Sequence, residues 1–198
     1  MKRTILSTVI LLLLVSINLY SEEIVEQGFK FGLNTSNFVG DNTSMFKARK
    51  AFIVGGYATY KSSEFVDIQG ELNLTMKGAY VEEDGEKFEM NLNYLEVPIM
   101  GKYQFQNKQS KVRPYFMMGP SIAIKLSAKG KLMEDGQSNE GDIENVRPLD
   151  IGIVFCGGVL IEKILIEGRY TRSISKVLDD TGVIHNSVFS ILVGFKVN

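Results

Sequence analysis

The chain has 198 residues, 44% of them hydrophobic, with 22 Lys and Arg set against 23 Asp and Glu. A formal net charge of −1 excludes both the basic footprint of a nucleic-acid binder and a strongly acidic tail. The single cysteine, Cys156, has no partner for an intramolecular disulfide and lies too far from the N-terminus to carry a lipoprotein anchor.

Lys2 and Arg3 precede an apolar stretch from Ile5 to Val15, and the polar residues Asn18 and Ser21 close it. A basic start, a short apolar run and a small residue at the exit are the pattern of a cleaved secretory signal, assigned to residues 1–21. The run is shorter than the roughly 20 residues of a spanning helix. A retained anchor is the alternative, against which Asn18 and Ser21 argue. Cleavage leaves residues 22–198 as one domain, with 20 cations against 23 acids and a net charge of −3. No later apolar stretch is long enough for a transmembrane helix, so a membrane location requires a closed barrel.

Eight strand-like segments follow in chain order. Gln27 to Asn34 alternates, with Phe29, Phe31 and Leu33 opposed to Lys30 and Asn34. Ala51 to Lys61 comes next, then Phe65 to Tyr80, in which Val66, Ile68, Leu72, Leu74 and Met76 share one parity. Lys87 to Phe105 changes phase: the apolar set is even through Tyr94 and odd from Leu95, which predicts a bulge near Tyr94. Pro98 predicts a local disruption in the same strand. Val112 to Lys125, Leu149 to Ile161, Ile164 to Arg172 and Ser187 to Asn198 complete the set. Alternate connections are short (62–64, 106–111 and 162–163), and the others are mostly longer and rich in Gly, Asp and Asn (35–50, 81–86, 126–148 and 173–186). Transmembrane barrels of bacteria have this asymmetry, with short periplasmic turns and longer outer loops.

Alternation alone leaves the sign of the faces open, because a soluble barrel turns its apolar face inward and a membrane barrel turns it outward. With the apolar face in lipid, the other face carries Lys30, Asp67, Glu71, Lys77, Glu96, Lys102, Arg113, Asp150, Glu167, Arg169 and Lys196. This nearly neutral set can pair inside an eight-stranded barrel, whose lumen side chains fill. Several alternating stretches run to about 10 residues, enough to cross a bilayer at a tilt. Aromatics gather near strand ends: Tyr57, Tyr60, Phe65, Tyr103, Phe105, Tyr115, Phe116 and Phe195 at one end, Phe52, Phe88, Tyr170 and Phe189 at the other. The middles of the apolar faces are aliphatic and uncharged, as in Ile68, Leu74, Ile151, Ile166 and Ile191.

The chain resembles the small outer-membrane β-barrel proteins labelled "porin family", including the PorT-like proteins. The resemblance covers nearly all of residues 22–198 and rests on a combination of short pieces in order. These are Lys30-Phe31-Gly32-Leu33-Asn34, Ile68-Gln69-Gly70-Glu71-Leu72 with Lys77-Gly78, and Tyr94-Leu95-Glu96-Val97-Pro98-Ile99 with Lys102-Tyr103. Arg113-Pro114-Tyr115-Phe116, Asp150-Ile151-Gly152 and Glu167-Gly168-Arg169-Tyr170 follow. The chain departs from the pattern at its end, where Phe195 is followed by Lys196-Val197-Asn198 rather than closing on an aromatic. The resemblance implies a fold and a place in the outer membrane, and it implies no activity.

The expected fold is therefore all-β: an eight-stranded antiparallel up-and-down transmembrane β-barrel after a cleaved signal. Asp67, Glu71, Glu96, Arg113, Asp150, Glu167 and Arg169 are expected to form an interior charge network, with Glu71 reaching Arg113 or Arg169. The expected function is a non-enzymatic structural or interaction barrel. Its expected partners are outer-membrane lipid and envelope proteins met through loops or periplasmic turns, with no cofactor and no nucleic acid. Three alternatives stand beside it: a narrow pore, a soluble lipocalin-like binder of the periplasm, and a rim enzyme built on His185 with Asp179, Asp180 or Ser187. The acidic segment 134–142 lacks the spacing of a Ca²⁺ loop and is expected to be a solvated loop. Gly152, Gly157 and Gly158 precede no helix and are expected to relieve crowding inside the barrel.

Overall fold

The computed structural model describes residues 24–83, 85–105, 111–134, 137–178 and 183–197. The predicted signal, 1–21, lies outside them, as do Asp179 and Asp180 of the predicted rim site. The described residues form β1 (Ile24–Gly40), β2 (Lys47–Tyr60), β3 (Val66–Lys77), β4 (Ala79–Glu83) and β5 (Glu86–Gln104). They continue as β6 (Val112–Glu134), β7 (Gln137–Asp142), β8 (Leu149–Ile161), β9 (Ile164–Ser173) and β10 (Ile184–Lys196).

Eight of these strands close a ring. Antiparallel ladders run β1–β2, β2–β3, β3–β5, β5–β6, β6–β8, β8–β9 and β9–β10, and β10 returns to β1 through a register from Gly28↔Lys196 to Gly40↔Ile184. Closure leaves the ring without an edge, the arrangement that satisfies backbone groups in lipid. β4 continues β3 beyond Gly78 and stays between β2 and β5. Gly78 sits at φ +127°, and a Cβ there would meet the Met90 carbonyl oxygen at 2.0 Å, so only glycine fits this joint.

Segments expected to be outer loops are partly strand. β1 reaches Gly40, and β6 runs on to Glu134. The acidic segment is not a solvated loop: β7 pairs with β6 from Lys129↔Asp142 to Glu134↔Gln137. Backbone groups there find partners in a ladder, and every β7 residue is exposed. Asymmetry between the two ends thus arises largely from strands that outrun the ring on one side.

The phase change in β5 has a different cause from the predicted bulge. Even residues face inward along the strand, from Met90 through Tyr94, Glu96 and Pro98 to Lys102. The register step lies at Asn93/Tyr94, but the additional residue is Leu126 of β6, between the partners Lys125 and Ser127. β6 therefore changes face: Ser121 and Ala123 point inward before the step, Ala128 and Gly130 after it. What changes along β5 is the filling of the lumen, apolar near its start and charged further on. At Pro98 the β3–β5 pairing lapses between Gly70↔Ile99 and Asn73↔Glu96, with the same register on both sides.

The faces have the lipid sign. Val66, Ile68, Leu74, Met76, Ile151, Ile166 and Ile191 are exposed, while Lys30, Glu71, Lys77, Glu96, Lys102, Glu167 and Arg169 are buried. Exposed aromatics mark both ends, among them Phe65, Phe105, Phe116 and Phe195 at the short-turn end and Phe52, Phe88, Tyr170 and Phe189 at the other. Tyr57 and Tyr115 correct that expectation, since both turn into the lumen, where buried lysines supply a better partner than the interface does.

Candidate functional site

The lumen is filled in layers whose order follows β1. Its inward residues Glu26, Lys30, Asn34, Ser36 and Phe38 pass from the short-turn mouth to the outer end. Inward parity places each of these side chains opposite strands distant in sequence, which is how charges far apart in the chain become neighbours.

At the mouth, Lys102 donates to Glu26 at 2.8 Å and Lys196 lies 4.0 Å from the same carboxylate. Asp67, partly exposed, is 3.6 Å from Lys61. Arg113 lines this mouth with them. The next layer is a four-membered knot. Lys30 donates to Glu71 at 2.8 Å and to Glu167 at 2.7 Å. Arg169 donates to Glu71 and to Glu167, each at 2.7 Å. Glu71 also accepts from Gln69 and Asn73, and Glu167 from the Tyr115 hydroxyl at 3.0 Å. Two cations and two anions balance here, and the added donors satisfy carboxylate lone pairs that would otherwise be costly to bury.

Lys77 organises the third layer, 2.7 Å from Glu96 and 3.1 Å from Asp150. Asp150 also accepts from Asn186 at 3.0 Å and Ser175 at 3.0 Å. Beside it, Asn34 donates to Thr75 at 2.9 Å and accepts from Ser190 at 2.8 Å. Each of the three deeply buried lysines lies near the face of a tyrosine: Lys30 by Tyr57 at 5.0 Å, Lys77 by Tyr94 at 5.3 Å and Lys102 by Tyr115 at 5.0 Å. Gly158, directly across from Tyr115 in the β6–β8 ladder, makes room for that ring. A Cβ on Gly158 would stand 2.6 Å from the ring and its hydroxyl.

Above the ion pairs, the outer end is closed by apolar side chains. Phe38, Met90, Leu92, Tyr94, Val146, Val177 and Ile184 pack with small residues of β4 and β6. Lys125 donates to the Val146 carbonyl and ties the 143–148 connection to this cap.

Of the predicted network, Glu71, Glu167 and Arg169 meet directly, and Glu96 and Asp150 meet through Lys77. Asp67 and Arg113 stay at the mouth, so the arginine that reaches Glu71 is Arg169. Glu26 falls outside the predicted first strand, which begins at Gln27, although it shares the parity of Lys30 four residues on. The apolar cap is harder to foresee, because inward apolar residues at one end of a membrane barrel look like a change of phase. The predicted rim site does not assemble among the described residues. His185 Nδ1 lies 2.8 Å from the Ser175 carbonyl oxygen, and the Ser187 hydroxyl lies 3.1 Å from that of Tyr170. Histidine and the hydroxyl thus serve different partners.

Among solved structures, Neisserial surface protein A is similar at 13% identity, with 85% of this chain and 96% of that chain covered and a TM-score of 0.50. Ail, the attachment invasion locus protein of Yersinia pestis, is similar at 15% identity over 86% of this chain and 97% of its own, with a TM-score of 0.46. The outer membrane enzyme PagL is similar at 10% identity over 84% and 98%, with a TM-score of 0.47. At these identities the likeness is one of fold. No curated protein matches the chain. A family model described as "Outer membrane protein beta-barrel domain" matches residues 22–179. With most of the chain matched, a closed antiparallel ring and an apolar outer face, the protein belongs to the outer membrane protein β-barrel domain family and resides in the outer membrane.

Proposed function

We propose that the protein is a non-enzymatic barrel with a closed lumen, and that it acts through the segments that project beyond the membrane. The observation that carries this reading is the continuity of the plug. Two successive layers of ion pairs at 2.7–3.1 Å, around Lys30 and around Lys77, lie beneath an apolar cap of Phe38, Met90, Leu92 and Tyr94. A pore needs a continuous wet path, and an eight-stranded lumen has little room for one once its side chains are packed. A rigid scaffold with projecting loops and strand extensions is where binding function usually resides, and β7 with its connections supplies such a surface. Residues 1–21 are proposed as the export signal that delivers the chain.

Conductance tests the reading. The purified protein, reconstituted in planar lipid bilayers, is expected to give no unitary current steps. Reproducible steps of uniform size would replace the closed barrel with a narrow pore. The mass of the mature protein from outer membranes checks the signal, with loss of about the first 21 residues expected.

A further inference from the structure

The short-turn mouth holds a cavity of about 160 Å³ whose lining, among the described residues, includes Lys61, Lys102, Arg113 and Lys196 against two carboxylates, Glu26 and Asp67. Glu26 is occupied by Lys102 at 2.8 Å, with Lys196 at 4.0 Å. Among the described residues the site therefore has an excess of positive charge, and none of the apolar cap lies at this end of the lumen. Two buried polar atoms at this mouth lack hydrogen-bond partners: the amide nitrogen Nε2 of Gln104 and the carboxylate oxygen Oδ1 of Asp67. Lys61 stands 3.6 Å from that oxygen, close enough for attraction and too far for a hydrogen bond. Buried polar groups in native proteins are nearly always satisfied, so an unfilled donor and an unfilled acceptor on two residues that line one cavity call for an occupant.

The occupant these groups describe is anionic, accepts hydrogen bonds and also donates one. Cationic side chains and the Gln104 amide require an anion with several acceptor oxygens, and the guanidinium of Arg113 suits a tetrahedral oxyanion. Asp67 adds a requirement. As an ionised carboxylate it repels an anion unless that anion brings a proton to share. Sulfate and carboxylates have none to offer near neutral pH, and the phosphodiester of a phospholipid has none on its phosphate. The hydrogen phosphate dianion keeps one, whereas a phosphomonoester, whose second pKa is about 6, has mostly lost its own. We propose that the mouth of the barrel is a binding site for inorganic phosphate reaching it from the periplasm.

Titration calorimetry of the full chain in dodecyl maltoside, with sodium phosphate as the probe at pH 6.5 and sodium sulfate as the comparison, tests the proposal. Saturable phosphate binding at least tenfold tighter than sulfate is expected. Arg113→Gln and Lys196→Gln should each weaken phosphate binding about tenfold. Asp67→Asn should bring sulfate to within about threefold of phosphate, because the repulsion that excludes it is gone. Arg49→Gln, whose arginine pairs with Glu89 away from this mouth, should leave binding unchanged. Heat-modifiable gel mobility confirms that each variant is folded before it is titrated. Absence of saturable phosphate binding, or sulfate bound as tightly by the unaltered protein, overturns the proposal. A response confined to nanodiscs containing phosphatidylglycerol, with none to free phosphate, overturns it in favour of a lipid headgroup.

Discussion

Arg169 on β9 and Glu71 on β3 are 98 residues apart and meet inside the barrel, with Nη2 to Oε2 at 2.7 Å. Neither side chain is more than 1% exposed. Taking one partner from a buried, balanced knot leaves a charge without compensation, which costs far more than the net worth of the pair. Arg169→Met, which leaves Glu71 and Glu167 facing Lys30 alone, is expected to destabilise the barrel by about 3–5 kcal/mol. Adding Glu71→Leu restores a one-to-one balance of Lys30 with Glu167 and should recover most of the loss. Urea unfolding followed by circular dichroism in lipid vesicles measures both, and additive losses would show that the residues do not act as a pair.

Tyr115 reaches Glu167 only because Gly158 has no side chain. Gly158→Ala places a methyl group 2.6 Å from both the ring and the Ile166 carbonyl oxygen, an overpacking expected to cost about 1–3 kcal/mol. Gly157→Ala is the control, because its Cβ meets no atom within 4 Å and should be nearly neutral. Thermal unfolding of the two variants side by side gives the answer, and equal effects would mean that the Tyr115 ring does not need the space.

Ile191 is 57% exposed midway along β10, a position where water would tolerate lysine and lipid would not. Ile191→Lys is expected to cost about 2–4 kcal/mol if it lies near the bilayer midplane. Val197→Lys, beyond the end of the same strand, should cost no more than about 1 kcal/mol. Folding titrations into lipid vesicles report the difference. No penalty at Ile191 would place that face in water.

The β6–β7 arm carries an ion pair outside the membrane, Lys129 to Glu140 at 2.5 Å. The hydrogen bond from Lys129, aided by its charge, holds the Glu140 carboxyl below its ordinary value of 4.5. A lowered carboxylate pKa stabilises the folded arm above the ordinary value, and that contribution is lost as pH falls through the folded one. Amide hydrogen exchange of β7, corrected for its intrinsic pH dependence, should therefore show falling protection on acidification below about pH 4.5. In Glu140→Gln the same acidification should have a smaller effect.

Most of the fold is legible in the chain because the strand period is local. Val66, Ile68, Leu74 and Met76 alternate with Asp67, Glu71 and Lys77, and that parity survives intact in β3. The predicted export signal, the span lengths and the aliphatic stripes give the parity its sign. Which charged side chains would line the lumen was thus open to reading, apart from Glu26, hidden by a strand boundary; the inward Tyr57 and Tyr115, whose rings suit an interface as well as a lysine, and the inward apolar Met90, Leu92 and Tyr94 were not.

Partnership inside the lumen was not legible. Alternation shows that Glu71 points inward; that it meets Arg169 and Lys30 rather than Arg113 depends on the tilt and stagger of the closed ring. The apolar phase of β5 reads as a bulge in that strand, yet the step belongs to Leu126 of β6, and Met90, Leu92 and Tyr94 close the lumen above the charges. Sequence alone determined the alternation of each strand and which charged residues turn away from lipid, because two-residue periodicity is a property of each strand by itself. Only the tertiary structure decided which charge meets which and which end of the lumen stays open, because those depend on the register of every ladder around the ring.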